Sequence, residues 1–145
     1  MAFLRPSPIV DPEAEIRGAH VYLRHPTMQD YAAWAELRAL SRTHLVPWEP
    51  QWARDELTRS NFRRRLRQYH RELRDDHGYA YLIFGDTDSK LIGGLNISNV
   101  RRGVAQTAAL GYWMGAPHVG RGLMTAAVRA TLRFVFGVLR LNRLE

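Results

Sequence analysis

The run His118-Val119-Gly120-Arg121-Gly122-Leu123-Met124 is the part of this chain best suited to hold an anion. Glycine removes the side chain that would keep an anion away from main-chain N–H groups, and Arg121 adds positive charge. The apolar segment that follows reads as a helix. The first turn of a helix exposes unpaired N–H groups and the positive end of the helix dipole, a combination that suits a pyrophosphate. A tight strand-to-helix connection in which glycine only supplies a positive φ would use the same letters. Two other phosphate motifs fail on this sequence. The dinucleotide fingerprint G-x-G-x-x-G meets Thr125 where its last glycine belongs, and the Gly-Lys-Ser/Thr of a P-loop is absent.

Other chemistries are excluded or thinly supported. The sequence has no cysteine, which rules out disulfides, thiolate metal sites and a cysteine nucleophile. Its six histidines show no metal-ligand spacing, so no metal is expected. Net charge is +7, carried almost wholly by arginine, and Lys90 is the only lysine. Such a balance favours acidic partners such as nucleic acid, ribosomes or phosphorylated cofactors. Neither a signal-peptide run nor a segment of membrane-span length occurs, so a cytoplasmic protein with no membrane contact is expected.

The elements that must position the glycine loop can be read from periodicity. Residues 1–17 hold Pro6, Pro8 and Pro12 and read as an extended N-terminal arm. His20–Arg24 alternates as a strand. Thr27 then reads as an N-cap, with Asp30 three residues on, for a helix over 28–40 carrying Tyr31, Trp34, Leu37 and Leu40. Residues 43–53 read as an aromatic loop containing Trp48 and Trp52. Over 54–74 the spacing predicts a helix with the stripe Leu57, Phe62, Leu66, Tyr69 and Leu73; eight arginines cover much of the rest. Strands follow at 79–84, 91–100 and 105–113, an antiparallel meander by its short turns. In the second, Leu95, Ile97 and Asn99 should share one face, with Asn96, Ser98 and Val100 on the other. After the glycine loop, a helix over 122–137 is apolar on two adjacent stripes and must be buried against the sheet.

The order of elements, together with Leu110-Gly111-Tyr112-Trp113-Met114 and His118 to Thr125, resembles the GNAT acetyltransferases. Val46-Pro47-Trp48-Glu49-Pro50 and Leu141-Asn142-Arg143-Leu144-Glu145 are similar to the RimJ/RimL-type branch, which acetylates N-terminal amines of ribosomal proteins. The resemblance runs from about residue 18 to the end. It implies an α/β fold of the α+β type: a mixed, mostly antiparallel sheet flanked by helices, whose last strands lie beyond this sequence. It implies acetyl-CoA as cofactor, with pyrophosphate on the amides of Val119, Gly120, Arg121, Gly122 and Leu123, and with His118 and Thr125 close by. The pantetheine arm would lie along the strand edge at Trp113 and Met114. Pro117 stands where the family pattern has Gln or Arg, and Ala109 where relatives often carry an acidic base. Tyr112 and Glu49 are the remaining catalytic candidates. Trp48, Trp52 and Asn96 are the candidates on the acceptor side.

Three readings remain open at this point. The first is an N-acetyltransferase acting on a protein N-terminal or small-molecule amine. A second is an Arg-rich module without catalysis that contacts RNA or the ribosome through residues 54–74. The third is a fragment or domain-swapped homodimer, inactive until another segment completes the sheet.

Overall fold

Tyr79–Gly85 is nearly all apolar, and as strand β3 it is buried on both faces. Tyr79, Tyr81 and Ile83 enter one core with Ala127 and Val135; Leu82 and Phe84 enter a second with Trp34, Phe62 and Leu66. A strand with no polar face needs a cover on each side. The computed structural model describes residues 14–145, and this central strand organises them. The sheet has six strands in the order β1-β2-β3-β4-β5-β6. They are β1 (Ile16–Gly18), β2 (Val21–Arg24), β3, β4 (Leu91–Arg101), β5 (Thr107–Met114) and β6 (Arg143–Leu144). All neighbours are antiparallel except β5 and β6, which run parallel. Helices α1 (Tyr31–Leu40), α2 (Arg42–Leu45) and α3 (Arg59–Arg74) precede β3, and α4 (Leu123–Gly137) follows β5. The mixed, mostly antiparallel fold class expected from the sequence is the one observed. No helix among the described residues is long and apolar enough to cross a membrane.

Several boundaries differ from the sequence expectations. The arm expected over 1–17 gives way to β1, because Ile16–Gly18 pair with Val21–Leu23 of β2. The rest of that arm, residues 1–13, lies outside the described residues. Helix α3 begins at Arg59, not Arg54: the Thr58 hydroxyl accepts the Asn61 N–H at 3.2 Å and caps the helix there. Asp55 and Glu56, ahead of that cap, instead pair with Arg64 and Arg65. Part of the expected loop 43–53 is helical, as α2 and a 3-10 turn over Val46–Trp48. Pro47 fits that turn, since its fixed φ suits the start of a helical turn.

Strand β4 breaks the expected alternation. Asn99 takes φ +51°, and the register with β5 shifts between Ser98 and Arg101. One extra residue there moves Val100 to the buried side and Asn99 to the exposed side.

Ion pairs join the elements at three points. Arg24 grips Asp30 through two hydrogen bonds of 2.8 and 2.7 Å, while Asp30 accepts the Thr27 N–H at 2.8 Å. This is the capping interaction read from the sequence. Arg102 holds Asp76 and donates to the Leu139 carbonyl at 2.5 Å, tying the β4–β5 turn to the exit of α4. Arg38 grips Glu49 (below). Burial is the largest single influence on these carboxyls and pushes them up, but the hydrogen bonds and charge of Arg24, Arg38 and Arg102, together with hydrogen bonds from Thr27, Trp52 and Tyr79, outweigh it, so Asp30, Glu49 and Asp76 all sit below their ordinary values. A depressed native value contributes stability above the unfolded value of about 4, and that contribution is lost as pH falls through the native one. Thermal melts should therefore hold steady from neutral pH to about 5 and fall steeply below about 4. Asp30→Asn should melt lower at pH 7 and lose less on acidification; an unchanged acid profile in that variant would remove Asp30 from the account.

Candidate active site

The sheet opens where β5 leaves β6. Pairing runs only along the first half of β5, with the Leu110 N–H donating to the Glu145 carbonyl at 2.6 Å and the Glu145 N–H to the Ala108 carbonyl at 2.9 Å. From Gly111 to Met114, β5 has β4 on one side and no strand on the other among the described residues. Strand residues alternate the direction of their N–H groups. Ala108 and Leu110 use the β6 side, so Tyr112 and Met114 turn theirs to the open edge, whereas Trp113 faces β4. A main-chain donor at this open edge is thus available from Met114, with Tyr112 as a second.

At the end of this edge the chain turns into α4. Gly122 sits in the left-handed region at φ +71°, and Gly120 at φ +78°. A methyl group added at either would meet nothing within 4 Å, so conformation, not crowding, requires glycine there. No side chain caps α4, and its first main-chain bond is from Ala126 N–H to the Gly122 carbonyl. The N–H groups of Leu123, Met124 and Thr125 are left for a ligand. They line a groove of about 610 Å³ that runs past Met114, Trp113 and Tyr112. All nine residues named for the cofactor, from Trp113 and Met114 through His118 to Thr125, line this one groove.

A second cavity, of about 420 Å³, lies on the other side of β5 under α1 and α3. Trp52, Asn96 and Glu49 line it, and it shares Tyr112 and Trp113 with the first groove. Trp48 is placed differently from the expectation. It lies 87% exposed beside the first groove and does not line the second cavity, because the 3-10 turn at Val46–Trp48 carries it to the glycine loop.

Arg38 escaped the sequence reading. It is 5% exposed and donates to both Glu49 carboxylate oxygens at 2.9 and 2.7 Å. Its guanidinium lies 4.7 Å from the Trp52 ring centre and 4.9 Å from that of Trp113, a cation stacked between two indoles. Trp52 also donates to Glu49 at 2.9 Å. A signal was present: Arg38 stands four residues after Trp34, on the buried stripe of α1. Trp113 lies over Gly94, where a methyl group would come within 2.3 Å of the indole nitrogen. Ser41, fully buried, accepts the Ala116 N–H at 2.9 Å and ties the start of the glycine loop to the α1–α2 corner.

A family model described as an Acetyltransferase (GNAT) domain matches residues 20–145. The chain belongs to the GNAT acetyltransferase family. That membership carries the enzyme class expected from the sequence, N-acetyltransferase. The chain is 32% identical over 130 residues to a probable N-acetyltransferase, YjcK, of Bacillus subtilis, covering 90% of this chain and 72% of that protein. It is 29% identical over 119 residues to the ribosomal protein uS5-alanine N-acetyltransferase of Escherichia coli, covering 81% of this chain and 61% of that one. Mycobacterium smegmatis RimJ, solved in complex with CoA-disulfide, superposes with a TM-score of 0.80 at 29% identity, over 90% of this chain and 64% of the other. The chain thus spans less than two thirds of the Escherichia coli and mycobacterial relatives.

In this GNAT domain Glu49 is a poor proton acceptor. Both its oxygens are engaged by Arg38 and Trp52, and its carboxyl is held below the ordinary range. The other carboxylate lining the same cavity, Glu56, pairs with Arg65. Glu49→Gln would leave the Arg38 charge buried without its partner, which should cost about 3 kcal/mol in urea unfolding; a loss under about 0.5 kcal/mol, the scale of an ordinary surface substitution, would mean the pair does not hold the loop that carries Glu49 and Trp52.

Proposed function

We propose that the chain is an acetyl-CoA-dependent N-acetyltransferase acting in the cytoplasm on the N-terminal amine of a protein, with a ribosomal protein as the foremost class of acceptor. The observation that carries this reading is the meeting of two clefts at Tyr112 and Trp113. One ends on the free amides of α4, suited to a diphosphate; the other is lined by aromatic and polar side chains and opens towards α3. Residues 18–145 form the acetyltransferase domain on this reading.

The residues fit the cofactor. Leu123, Met124 and Thr125 offer unpaired N–H groups to the pyrophosphate, and Arg121 adds charge. The open edge at Tyr112 and Met114 can take the amides of the pantetheine arm as a sheet takes a further strand. Trp48 stands over this groove, where it would cover the arm. Trp52 and Asn96 would bound the acceptor. Within that frame the amine nitrogen would attack the thioester carbonyl and form the C–N bond as the C–S bond breaks; coenzyme A would leave as its thiol, with the proton the amine gives up balancing the one the sulfur takes. The Met114 N–H is the donor best placed for charge on the carbonyl oxygen. Glu49 is assigned a positioning role, holding Arg38 against Trp113. Tyr112 has the one side-chain hydroxyl among the residues shared by both clefts and is the candidate for handling protons there.

One observation favours a second reading. Arg63, Arg67 and Arg71 on α3 are exposed and form no ion pair among the described residues, a surface suited to phosphates of RNA. An RNA-contacting module without catalysis would use that face alone.

Acetyl-CoA at about one hundred times its Kd should stabilise the fold by about 2.7 kcal/mol in a thermal-shift assay. Thiol should be released when peptides with free N-terminal amines are added. Gly120→Asp, which sets a carboxylate among the phosphate-binding amides, should lose the shift. An absent shift in the unaltered protein, with salt-sensitive RNA binding, would instead support the second reading.

A further inference from the structure

The second cavity opens onto a strip of sheet that the reading above leaves unused. Residues two apart in a strand share a face, so Gly94, Asn96 and Ser98 of β4 lie on one side, with their β5 partners Trp113, Gly111 and Ala109 beside them. Small side chains make this strip a trough. Asn96 and Gly111 are exposed, and a methyl group added at Gly111 would meet nothing within 4 Å. The wall on the β3 side is α3, which presents Arg65 and Tyr69 at the cavity and Glu72 further on. Spaced four and then three residues apart, these three share one face of the helix.

Glu72 marks the far end. A methyl group at Gly78 would come within 2.9 Å of its Oε2, so glycine is what lets the carboxylate lie against the sheet. Ser98 and Glu72 line the same depression, of about 360 Å³. The other glutamates around the trough are taken: Glu49 holds Arg38, Glu56 holds Arg65, and Glu145, near Ala109, holds Arg143. Glu72 forms no ion pair among the described residues. It accepts one hydrogen bond, from the Gln68 side-chain amide at 3.0 Å, and a carboxylate has about four lone-pair sites. Arg101 and His77 line the same depression, but neither pairs with it. A half-buried carboxylate with spare acceptor sites, at the end of a trough floored by an amide and a hydroxyl, fits a cation carried on a peptide.

We propose that this trough seats the acceptor as an extended peptide and that Glu72 selects acceptors with a basic side chain near the fourth residue. The inference rests on the reading that the acceptor amine lies where the two clefts meet, at Tyr112 and Trp113. From Gly94, opposite Trp113, to Ser98 is four strand residues, about 13 Å at about 3.3 Å each. An extended peptide covers that distance in about four residues, and the flexible stem of an arginine or lysine spans a residue more or less. Asn96 and Ser98 offer hydrogen bonds to its main chain on the way.

Thiol release from acetyl-CoA by the whole chain tests this, with peptides of one sequence that carry Arg, Gln or Glu at each position from two to seven in turn. Arg should raise kcat/KM about fivefold over Glu at positions three to five, mainly through KM, and change little elsewhere; an ion pair open to water is worth about that much. Glu72→Gln should flatten the preference and Glu72→Lys should reverse it, a reversal that a merely structural glutamate would not produce. Equal kcat/KM across the panel in the unaltered protein would overturn this inference and leave acetyl transfer to N-terminal amines standing. A preference for Arg that persists in Glu72→Gln would place the cation elsewhere, which also overturns it. No thiol release with any peptide would remove the protein-acceptor reading and this inference with it.

Discussion

Main-chain N–H groups at the start of α4 have no acceptor of their own, and the rest of the molecule holds them in one place. Such groups cost free energy unless paired, and they are most useful when the helix carrying them cannot move. Helix α4 is seated by Ala127, Ala130 and Val135, each almost fully buried against the sheet. Small side chains let the helix lie close to the strands. At its far end Arg102 reaches from the β4–β5 turn to the Leu139 carbonyl and fixes where the chain leaves the helix. The result is a rigid row of donors beside the edge that β5 exposes once its pairing with β6 has ended.

A second set of interactions couples this corner to the opposite face of the sheet. Arg38 is stacked between Trp52, on the loop before α3, and Trp113, on the strand where the two clefts meet. Three residues further on, Ser41 takes the N–H of Ala116 at the entrance to the glycine loop. One short stretch of α1 and α2 therefore positions the aromatic loop around Trp52 and the glycine loop together. Burying a guanidinium is costly unless it is paired, so the bidentate contact with Glu49 is what allows Arg38 to stay there. A carboxylate in that role is poorly suited to accept a substrate proton. On this account the acidic residue nearest the chemistry serves architecture, and proton handling falls to other groups.

Much of the fold was legible because its signals are local. The apolar run of β3, the Thr27–Asp30 cap and the apolar stripes of α4 each announce themselves within a few residues. The glycine loop was legible for the same reason: its letters and its place between a strand and a helix singled out His118 to Met124, while Trp113, Met114 and Thr125 came in through the family resemblance. What was missed depends on contacts distant in sequence. The phase change at Asn99 arises from a bulge against β5, which no pattern within β4 reveals. The late start of α3 follows from Thr58 capping while Asp55 and Glu56 fold back onto Arg64 and Arg65, so the arginine run looked longer as a helix than it is. Trp48 was grouped with Trp52 by proximity in sequence, but a helical turn sends it to the other cleft. The pairing of Arg38 with Glu49 spans eleven residues and a corner, and only the position of Arg38 on an apolar stripe hinted at it.

Amide hydrogen exchange with and without acetyl-CoA tests the central claim most directly, because it reads the main-chain groups themselves. The account expects slowed exchange at Leu123, Met124 and Thr125 and along the β5 edge at Tyr112 and Met114, while Trp113, already bonded to β4, changes little. Protection confined to other parts of the chain, or none at these five amides at saturating ligand, would contradict it.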